Sequence, residues 1–217
     1  MAKISWGILD GFIGKVGTVI GSFWKGKPVM RAYKRQVADR DSEAQQLVRT
    51  RFGAISSLSG AFLSAIRLGL VEIARRTRTT EGNVFVQENW GCVHADTPGT
   101  ATVDYSELQI AKGNLPEAQF GTLSFATPLT ITIPMTDTSE VIGADKHDLV
   151  YVVAYSPEAG AMVMNEGATR DEESIELLVP AYWNGHRVHV YAFAIGGGED
   201  NQGVISNSRY LGSGTIA

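Results

Sequence analysis

Short apolar runs alternate with turn residues through the second half of the chain, and this spacing limits the folds open to it. From about Gly121, runs rich in β-branched and aromatic residues are separated by Gly, Pro, Asn and Asp. The runs are Leu129–Pro134, Asp148–Tyr155, Ala161–Met164, Ser174–Val179, Arg187–Ile195 and Ile205–Leu211. Such spacing is typical of an antiparallel β-sandwich. We also predict a strand over Thr102–Ala111 and a flexible tail end at Gly212–Gly214.

A helical segment is predicted from Asp41 to about Thr77. Asp41 or Ser42 can cap its start, and Glu43 then lies in the first turn, where a negative charge is favourable. An apolar face follows spacings of three, four and seven through Val48, Phe52, Ile55, Phe62, Ile66 and Ile73. Because each interior Gly weakens a helix, we expect either a break near Gly60 or a tightly packed helix pair.

Glycine recurs between apolar residues from Gly7 to about Tyr33. This density argues against a helix, and the β-branched and aromatic residues between the glycines favour short strands or a hairpin. Trp24–Val29 has the pattern of strand, turn and strand. An exposed apolar arm is a liability in a monomer, so we expect another surface, on the same or a neighbouring chain, to cover it. The predicted interface residues are Phe12, Val16, Ile20, Phe23 and Trp24.

Charge is sorted by position. Residues 1–80 carry a net charge of +9 and residues 81–217 a net charge of −13. The predicted basic patch consists of Lys25, Lys27, Arg31, Lys34, Arg35 and Arg40, next to Trp24 and Tyr33. Cations among aromatic rings suit phosphate contact and base stacking, as in nucleic-acid binding. They equally suit an acidic face of a neighbouring subunit, which the same chain supplies, and we favour this second partner.

No motif indicates a reaction, a cofactor or a metal. Gly14–Gly21 matches neither common phosphate-loop spacing. His186 and His189 would point to opposite faces of a strand, and the acidic run at 171–173 lacks a calcium-loop pattern. Cys92 is the only cysteine, so no intrachain disulfide is available, and we expect it to be a small, semi-buried residue. We therefore expect no enzymatic activity, no cofactor and no metal site.

The start of the chain lacks the apolar core of a secretory signal, because Gly7, Asp10, Gly11 and Gly14 interrupt it. The most apolar longer stretch, Phe52–Ala74, contains Arg67 and Glu72 and is a poor membrane span. We expect a product made in the cytoplasm and not inserted in a membrane.

Several segments together resemble an uncharacterised family of Bacteroidota proteins of about this length. The matching residues are Gly11–Ser22, Trp24–Gly26, Met30–Arg31, Glu43–Gln45, Arg49, Arg51–Phe52, Asp104–Ser106, Lys112–Leu115 and Ser206–Gly212. The resemblance implies no established activity, so no catalytic residue can be assigned to this chain from it. The stretch Ser42–Phe52, which follows a short β-arm, is also similar to a pattern of phage and prophage structural proteins.

The late strands resemble a fibronectin type III or immunoglobulin-like module. The resemblance lies in Leu178–Pro180, Gly185 and Val188–Ala192. The expected Trp is missing from the early strand around Ile131 and Ile133. The fold class predicted is thus mainly β, with an N-terminal helical part and a C-terminal immunoglobulin-like sandwich. The predicted domains are a basic β-arm plus helix over 1–80 and an acidic sandwich over 81–217, with 81–118 placed in either.

The sequence favours a non-enzymatic structural protein that self-assembles through its N-terminal arm, in a phage-like particle (virion) or an extracellular assembly. Its partners would be copies of itself and other structural proteins of the same particle. A nucleic-acid-binding protein that uses the basic region is the alternative. A ligand-binding immunoglobulin-like module is a third hypothesis, in which Tyr182 and Trp183 would be exposed loop aromatics.

Overall fold

The computed structural model describes residues 3–4, 12–24, 26–35 and 41–217, with side chains from residue 12 onward. The chain divides into two compact units, Met1–Ser42 and Glu43–Ala217. The boundary expected near residue 80 falls inside the second unit, so the helices share a unit with the later strands. Strands outweigh helices, at 37% against 24%, which confirms a mainly β chain with an N-terminal helical part.

The first unit holds a four-stranded antiparallel sheet, which we call the arm sheet. Its order is β1 (Lys3–Ile4), β2 (Phe12–Val16), β3 (Val19–Trp24) and β4 (Lys27–Ala32). A two-residue turn joins β2 to β3, and Gly17 at its first position has a φ of +57°, as tight hairpin turns require. Gly26, with a φ of +79°, lies in the next turn. The predicted strand, turn and strand at Trp24–Val29 are confirmed.

One arm glycine is required by close packing. The ring of Phe12 lies over Gly21, where a Cβ would come within 2.7 Å of a ring carbon and 2.1 Å of the Phe12 carbonyl oxygen. Gly21 is therefore buried within an otherwise exposed sheet. The close packing of ring and backbone explains why a side chain cannot replace the hydrogen at this position.

Four helices open the second unit. They are α1 (Glu43–Ala61), α2 (Leu63–Gly69), α3 (Val71–Thr77) and α4 (Glu81–Glu88). The break predicted near Gly60 is found at Phe62, where α2 turns away from α1 by 80°. Thr80 caps α4 by accepting a hydrogen bond from the Asn83 backbone N–H. Within the described residues, no single helix has both the length and the hydropathy to cross a membrane, and α1 and α2 meet those criteria only as a bent pair.

Ten further strands complete the second unit. They are β5 (Val93–Thr97), β6 (Thr100–Val103), β7 (Gln119–Phe120), β8 (Thr130–Thr136), β9 (Leu149–Ser156), β10 (Ala161–Met164), β11 (Ala168–Thr169), β12 (Ser174–Leu178), β13 (Arg187–Ile195) and β14 (Arg209–Thr215). One sheet has the order β10-β9-β13-β14, with β11 also paired to β9. A second has the order β12-β8-β7, and β5 pairs with β6. All the pairings between these strands are antiparallel.

The sheet of β9 and β13 lies between two apolar cores. On one face, Val152 and Val190 share a core with Ile133 and Leu177 of the second sheet. On the other face, Tyr155 and Tyr191 share a core with the helices. Side chains of a strand alternate between faces, so a central strand needs apolar residues at successive positions. This explains the apolar runs Leu149–Tyr155 in β9 and Val190–Ile195 in β13.

Three sequence predictions are wrong in this unit. The last strand, expected over Ile205–Leu211, instead runs over Arg209–Thr215. The strand expected over Thr102–Ala111 ends at Val103, because Asp104 Oδ1 accepts hydrogen bonds from the backbone N–H and the hydroxyl of Ser106 and so forms a turn. The flexible end expected at Gly212–Gly214 is instead part of β14 and pairs with β13. The ring of Phe125 occupies the space that a side chain at Gly214 would need.

Candidate assembly surface

Among the side chains described from residue 12 onward, one face of the arm sheet carries no charged residue. The register places Gly14 opposite Gly21, and Gly21 opposite Met30. Alternation along each strand then defines this uncharged face as Phe12, Gly14, Val16, Val19, Gly21, Phe23, Pro28, Met30 and Ala32. Val16, Phe23 and Met30 are 52%, 47% and 70% exposed. The face is thus apolar and largely open to solvent.

The opposite face combines cations with apolar and aromatic residues. We call it the basic face, and it consists of Ile13, Lys15, Ile20, Ser22, Trp24, Lys27, Val29, Arg31 and Tyr33. Lys15 Nζ lies 3.6 Å from the centroid of the Tyr33 ring, a cation–π distance. Three of these described residues, Lys15, Lys27 and Arg31, are cations, and none is a carboxylate. This face is therefore strongly positive.

The predicted interface residues divide between the two faces. Phe12, Val16 and Phe23 lie on the uncharged face, whereas Ile20 and Trp24 lie on the basic face. Of the predicted basic patch, Lys27 and Arg31 lie on the basic face, and Lys34 and Arg35 follow β4 as exposed residues. Lys25 and Arg40 lie outside the described residues.

The outer edge of β4 is poorly suited to pairing with another strand. The Tyr33 N–H donates to the Thr18 carbonyl, so Tyr33 directs its backbone polar groups toward β3. Because this direction alternates along a strand, residues 28, 30 and 32 direct theirs away from β3, toward the open edge. Pro28 lacks an N–H and removes one of these donors. Lys27 and Arg31 would also meet like charges if two β4 edges paired. Contact through a face is therefore favoured over strand addition.

Three loops of the second unit meet at one end of the sheets and form an acidic surface. They are residues 137–148, 170–173 and 196–203, and we call this surface the acidic end. Their carboxylates are Asp137, Glu140, Asp145, Asp148, Asp171, Glu172, Glu173, Glu199 and Asp200, and their cations are Lys146 and Arg170. These nine carboxylates are half of all those in residues 81–217. The structure thus concentrates negative charge that is scattered along the sequence.

A buried ion pair joins the three loops. Arg170 Nε donates to Asp148 Oδ2 at 2.8 Å, and both side chains are fully buried. Arg170 also donates to the Thr138 hydroxyl and the Pro116 carbonyl. Asp148 accepts further hydrogen bonds from Asn201 Nδ2 at 2.8 Å and from the backbone N–H groups of Asp145 and Gly197. Both charges are therefore well satisfied, which is the condition for keeping them buried.

Local hydrogen bonds lower the pKa values of two carboxylates of the acidic end. The backbone N–H of Ser139 lowers the pKa of Asp137 below its ordinary value. The backbone N–H and ring of His147 do the same for the pKa of Asp145. Since hydrogen bonds to a carboxylate favour its charged form, these groups stay negative at neutral pH.

An apolar tip projects from the acidic end. Ile142 is 98% exposed and Val141 is 46% exposed. The tip is a tight turn in which the Ala144 N–H donates to the Val141 carbonyl, and Gly143 has a φ of +88°. Asn201 Nδ2 donates to the Gly143 carbonyl and joins the turn to the buried ion pair. The tip is therefore held in place although its side chains contact little.

The histidines and Cys92 have structural surroundings. His189 stacks on Tyr105, with ring centroids 4.3 Å apart, and its Nδ1 lies 3.0 Å from the Tyr210 hydroxyl. Cys92 is buried in the core, whereas the sequence predicts a semi-buried residue. This burial raises the pKa of the Cys92 thiol. Across the described residues, no group of three His, Cys, Asp or Glu side chains is arranged to hold a metal ion.

His189 gives the unit a predictable response to acid. Burial, and then the charge of Arg187, lower the pKa of His189 below its ordinary value. The unfolded chain therefore takes up a proton near pH 6.5 that the folded chain does not, so stability should fall as pH drops from 7.5 to 5.5. His189→Gln, which cannot titrate, should reduce this fall in urea unfolding midpoints. His94→Gln, at an exposed position, is the control, and its urea midpoints at pH 7.5 and pH 5.5 should differ by as much as those of the wild type. The prediction is contradicted if His189→Gln also keeps the full wild-type difference between the two midpoints.

Comparison with protein families matches residues 11–212 to a family of unknown function, DUF6266. The chain belongs to the DUF6266 family. A search of curated proteins found no match. The DUF6266 match includes strands β2, β3 and β4 of the arm sheet and most of the second unit. The expectation of an uncharacterised family is thereby confirmed.

Proposed function

We propose that this DUF6266 protein is a non-enzymatic structural protein that assembles with copies of itself through the arm sheet. The uncharged face carries this proposal. Val16, Phe23 and Met30 expose their side chains on a face with no charge, and contiguous exposed apolar surface of this kind marks an interaction site. A second copy is the partner that is always present at matching concentration.

The size of the uncharged face agrees with this role. Three strands about 4.8 Å apart, each contributing about six residues at about 3.3 Å, give an area on the order of 300 Å². Contiguous apolar patches of this size on soluble proteins often have a binding role. Full burial of one large apolar side chain contributes about 1.5–3 kcal/mol, so a few such side chains suffice to hold a contact.

The setting we propose is a phage-like particle or an extracellular assembly, in Bacteroidota or their phages. The resemblance of Ser42–Phe52 to phage structural proteins supports it, since α1 begins at Glu43 and follows a β-arm, as in that pattern. We propose further that β7–β14 form an immunoglobulin-like or fibronectin-like module. Two antiparallel sheets that share one apolar core support this assignment.

Nucleic-acid binding is the second candidate function. The basic face favours it, because Lys15, Lys27 and Arg31 lie among exposed Trp24 and Tyr33. Binding to phosphates weakens steeply with salt, whereas contact through the uncharged face should persist in high salt. The ligand-binding module has less support, because Trp183 is fully buried and only Tyr182, at 64% exposed, is available to a ligand.

Phe23→Asp should disrupt self-association. A charge in the middle of the uncharged face would have to be buried without a partner, so we expect the dissociation constant to rise about tenfold or more. Thr18→Asp adds the same charge in an exposed turn and is the control. Sedimentation velocity over a range of concentrations, in high salt, measures both. Equal association of the two variants would contradict the proposal.

A further inference from the structure

We infer that the acidic end of one copy is the docking site for the basic face of the arm of a neighbouring copy. This inference rests on the proposed function, because it requires the arm to reach another molecule. It names the partner surface and assigns a role to the apolar tip at Val141 and Ile142. The uncharged face alone does not account for either feature.

The apolar tip is the first observation. A fully exposed Ile at the end of a tight turn costs solvation free energy unless a partner covers it. Hydrogen bonds from Asn201 fix the turn to the loop network below it, so the tip is already held in one conformation. A pre-formed tip loses little conformational freedom on binding, which favours association.

Charge complementarity is the second observation. Apart from the buried Asp148–Arg170 pair, the acidic end carries eight carboxylates and one cation, Lys146, and hydrogen bonds lower the pKa values of Asp137 and Asp145. Residues 12–35 carry six cations and no carboxylate. Opposite potentials of this size steer two surfaces together and disfavour contact between like ends.

The basic face also has apolar residues with which the tip can pack. Ile13, Trp24 and Val29 are 52%, 65% and 41% exposed, and they lie on the same face as Lys15 and Arg31. The acidic end has a matching composition, because exposed Val141 and Ile142 lie in the same loop as Glu140 and Asp145. An apolar centre with a charged rim is the usual composition of a protein interface.

The two surfaces are different patches of one chain, so the contact is head-to-tail. Such a contact closes into a two-fold dimer when two copies exchange arms, and otherwise repeats into a ring or an open filament. The uncharged face remains available for a second contact. A protein with both contacts can form an extended assembly, as a structural role requires.

Ile142→Ser in the full chain tests the docking site. We expect about a tenfold weaker self-association in low salt, because a buried Ile is lost from the interface. Leu178→Ser is the matched control, since Leu178 is 72% exposed and pairs with Thr130, at the opposite end of β8 from Asp137. Wild-type association of Ile142→Ser, while Phe23→Asp dissociates, would overturn this inference and leave the proposed function standing.

Zero-length carbodiimide crosslinking of mixed ¹⁴N- and ¹⁵N-labelled copies gives an independent test. We expect links from Lys15, Lys27 or Lys34 to Glu140, Glu199 or Asp200 that join peptides of different isotope content. Links only within one copy would overturn the inference, because the arm would then meet its own acidic end. The inference would also be overturned if no link to the acidic end forms and an added oligonucleotide protects the arm lysines from chemical modification. That result would favour nucleic acid as the partner of the basic face.

Discussion

Asp148→Ala is expected to lower the free energy of unfolding of the Glu43–Ala217 unit by about 3–5 kcal/mol. The substitution removes the partner of Arg170, whose side chain is fully buried, and leaves an uncompensated charge in the protein interior. It also removes the acceptor for Asn201 Nδ2 and for two backbone N–H groups. Three loops would lose their common connection, so the acidic end should loosen before the sheets do.

Urea unfolding followed by tryptophan fluorescence measures this effect, because Trp183 is buried in the same unit. Asp200→Asn is the control, since it changes the charge of the same surface at an exposed position. The double variant Asp148→Leu with Arg170→Met should lose less stability than Asp148→Ala, because no unpaired charge remains buried. A loss below about 1 kcal/mol for Asp148→Ala would show that the ion pair does not hold the loops.

Phe62→Ala is expected to cost about 3–5 kcal/mol of unfolding free energy. Phe62 is fully buried between α1 and α2, and its ring lies 4.8 Å from the ring of Tyr155 and 5.8 Å from that of Tyr191. The side chain thus connects the helices to the sheet of β9 and β13. Its removal would leave a cavity between these two layers that neighbouring rings cannot fill.

Phe52→Ala is the matched control for Phe62→Ala. Phe52 lies on α1 but is 54% exposed, so its truncation should cost less than about 1 kcal/mol. Urea unfolding measures both variants under the same conditions. Equal losses would mean that Phe62 is not the link between helices and sheet.

The sequence predicts most of the strands because their alternation and turn residues are local signals. The runs between Leu129 and Ile195 coincide with β8, β9, β10, β12 and β13. The two turns of the arm are also readable, since Gly17 and Gly26 lie where positive φ is needed. Once those turns are placed, the alternation of side chains along each strand separates the uncharged face from the basic face. The predicted interface residues mix the two faces, because Ile20 and Trp24 lie on the basic face.

Features that depend on distant residues could not be predicted. Gly214 pairs with Val188 of β13 and lies under the ring of Phe125, and nothing near Gly214 in the sequence signals either contact. The acidic end arises from three loops that an ion pair between Asp148 and Arg170 brings together. In the sequence, only the acidic run at 171–173 stands out, and its position at the same end of the sheets as residues 137–148 depends on the strand pairing.

The central claim is that the arm sheet is covered by another copy of the chain. Light scattering coupled to size-exclusion chromatography, over a range of concentrations, tests it on the full chain and on a version that lacks residues 1–35. Circular dichroism confirms that the shortened chain remains folded. We predict oligomers of the full chain that grow with concentration and a monomer for the shortened version at every concentration. A monomeric full chain at the highest concentration would contradict the account.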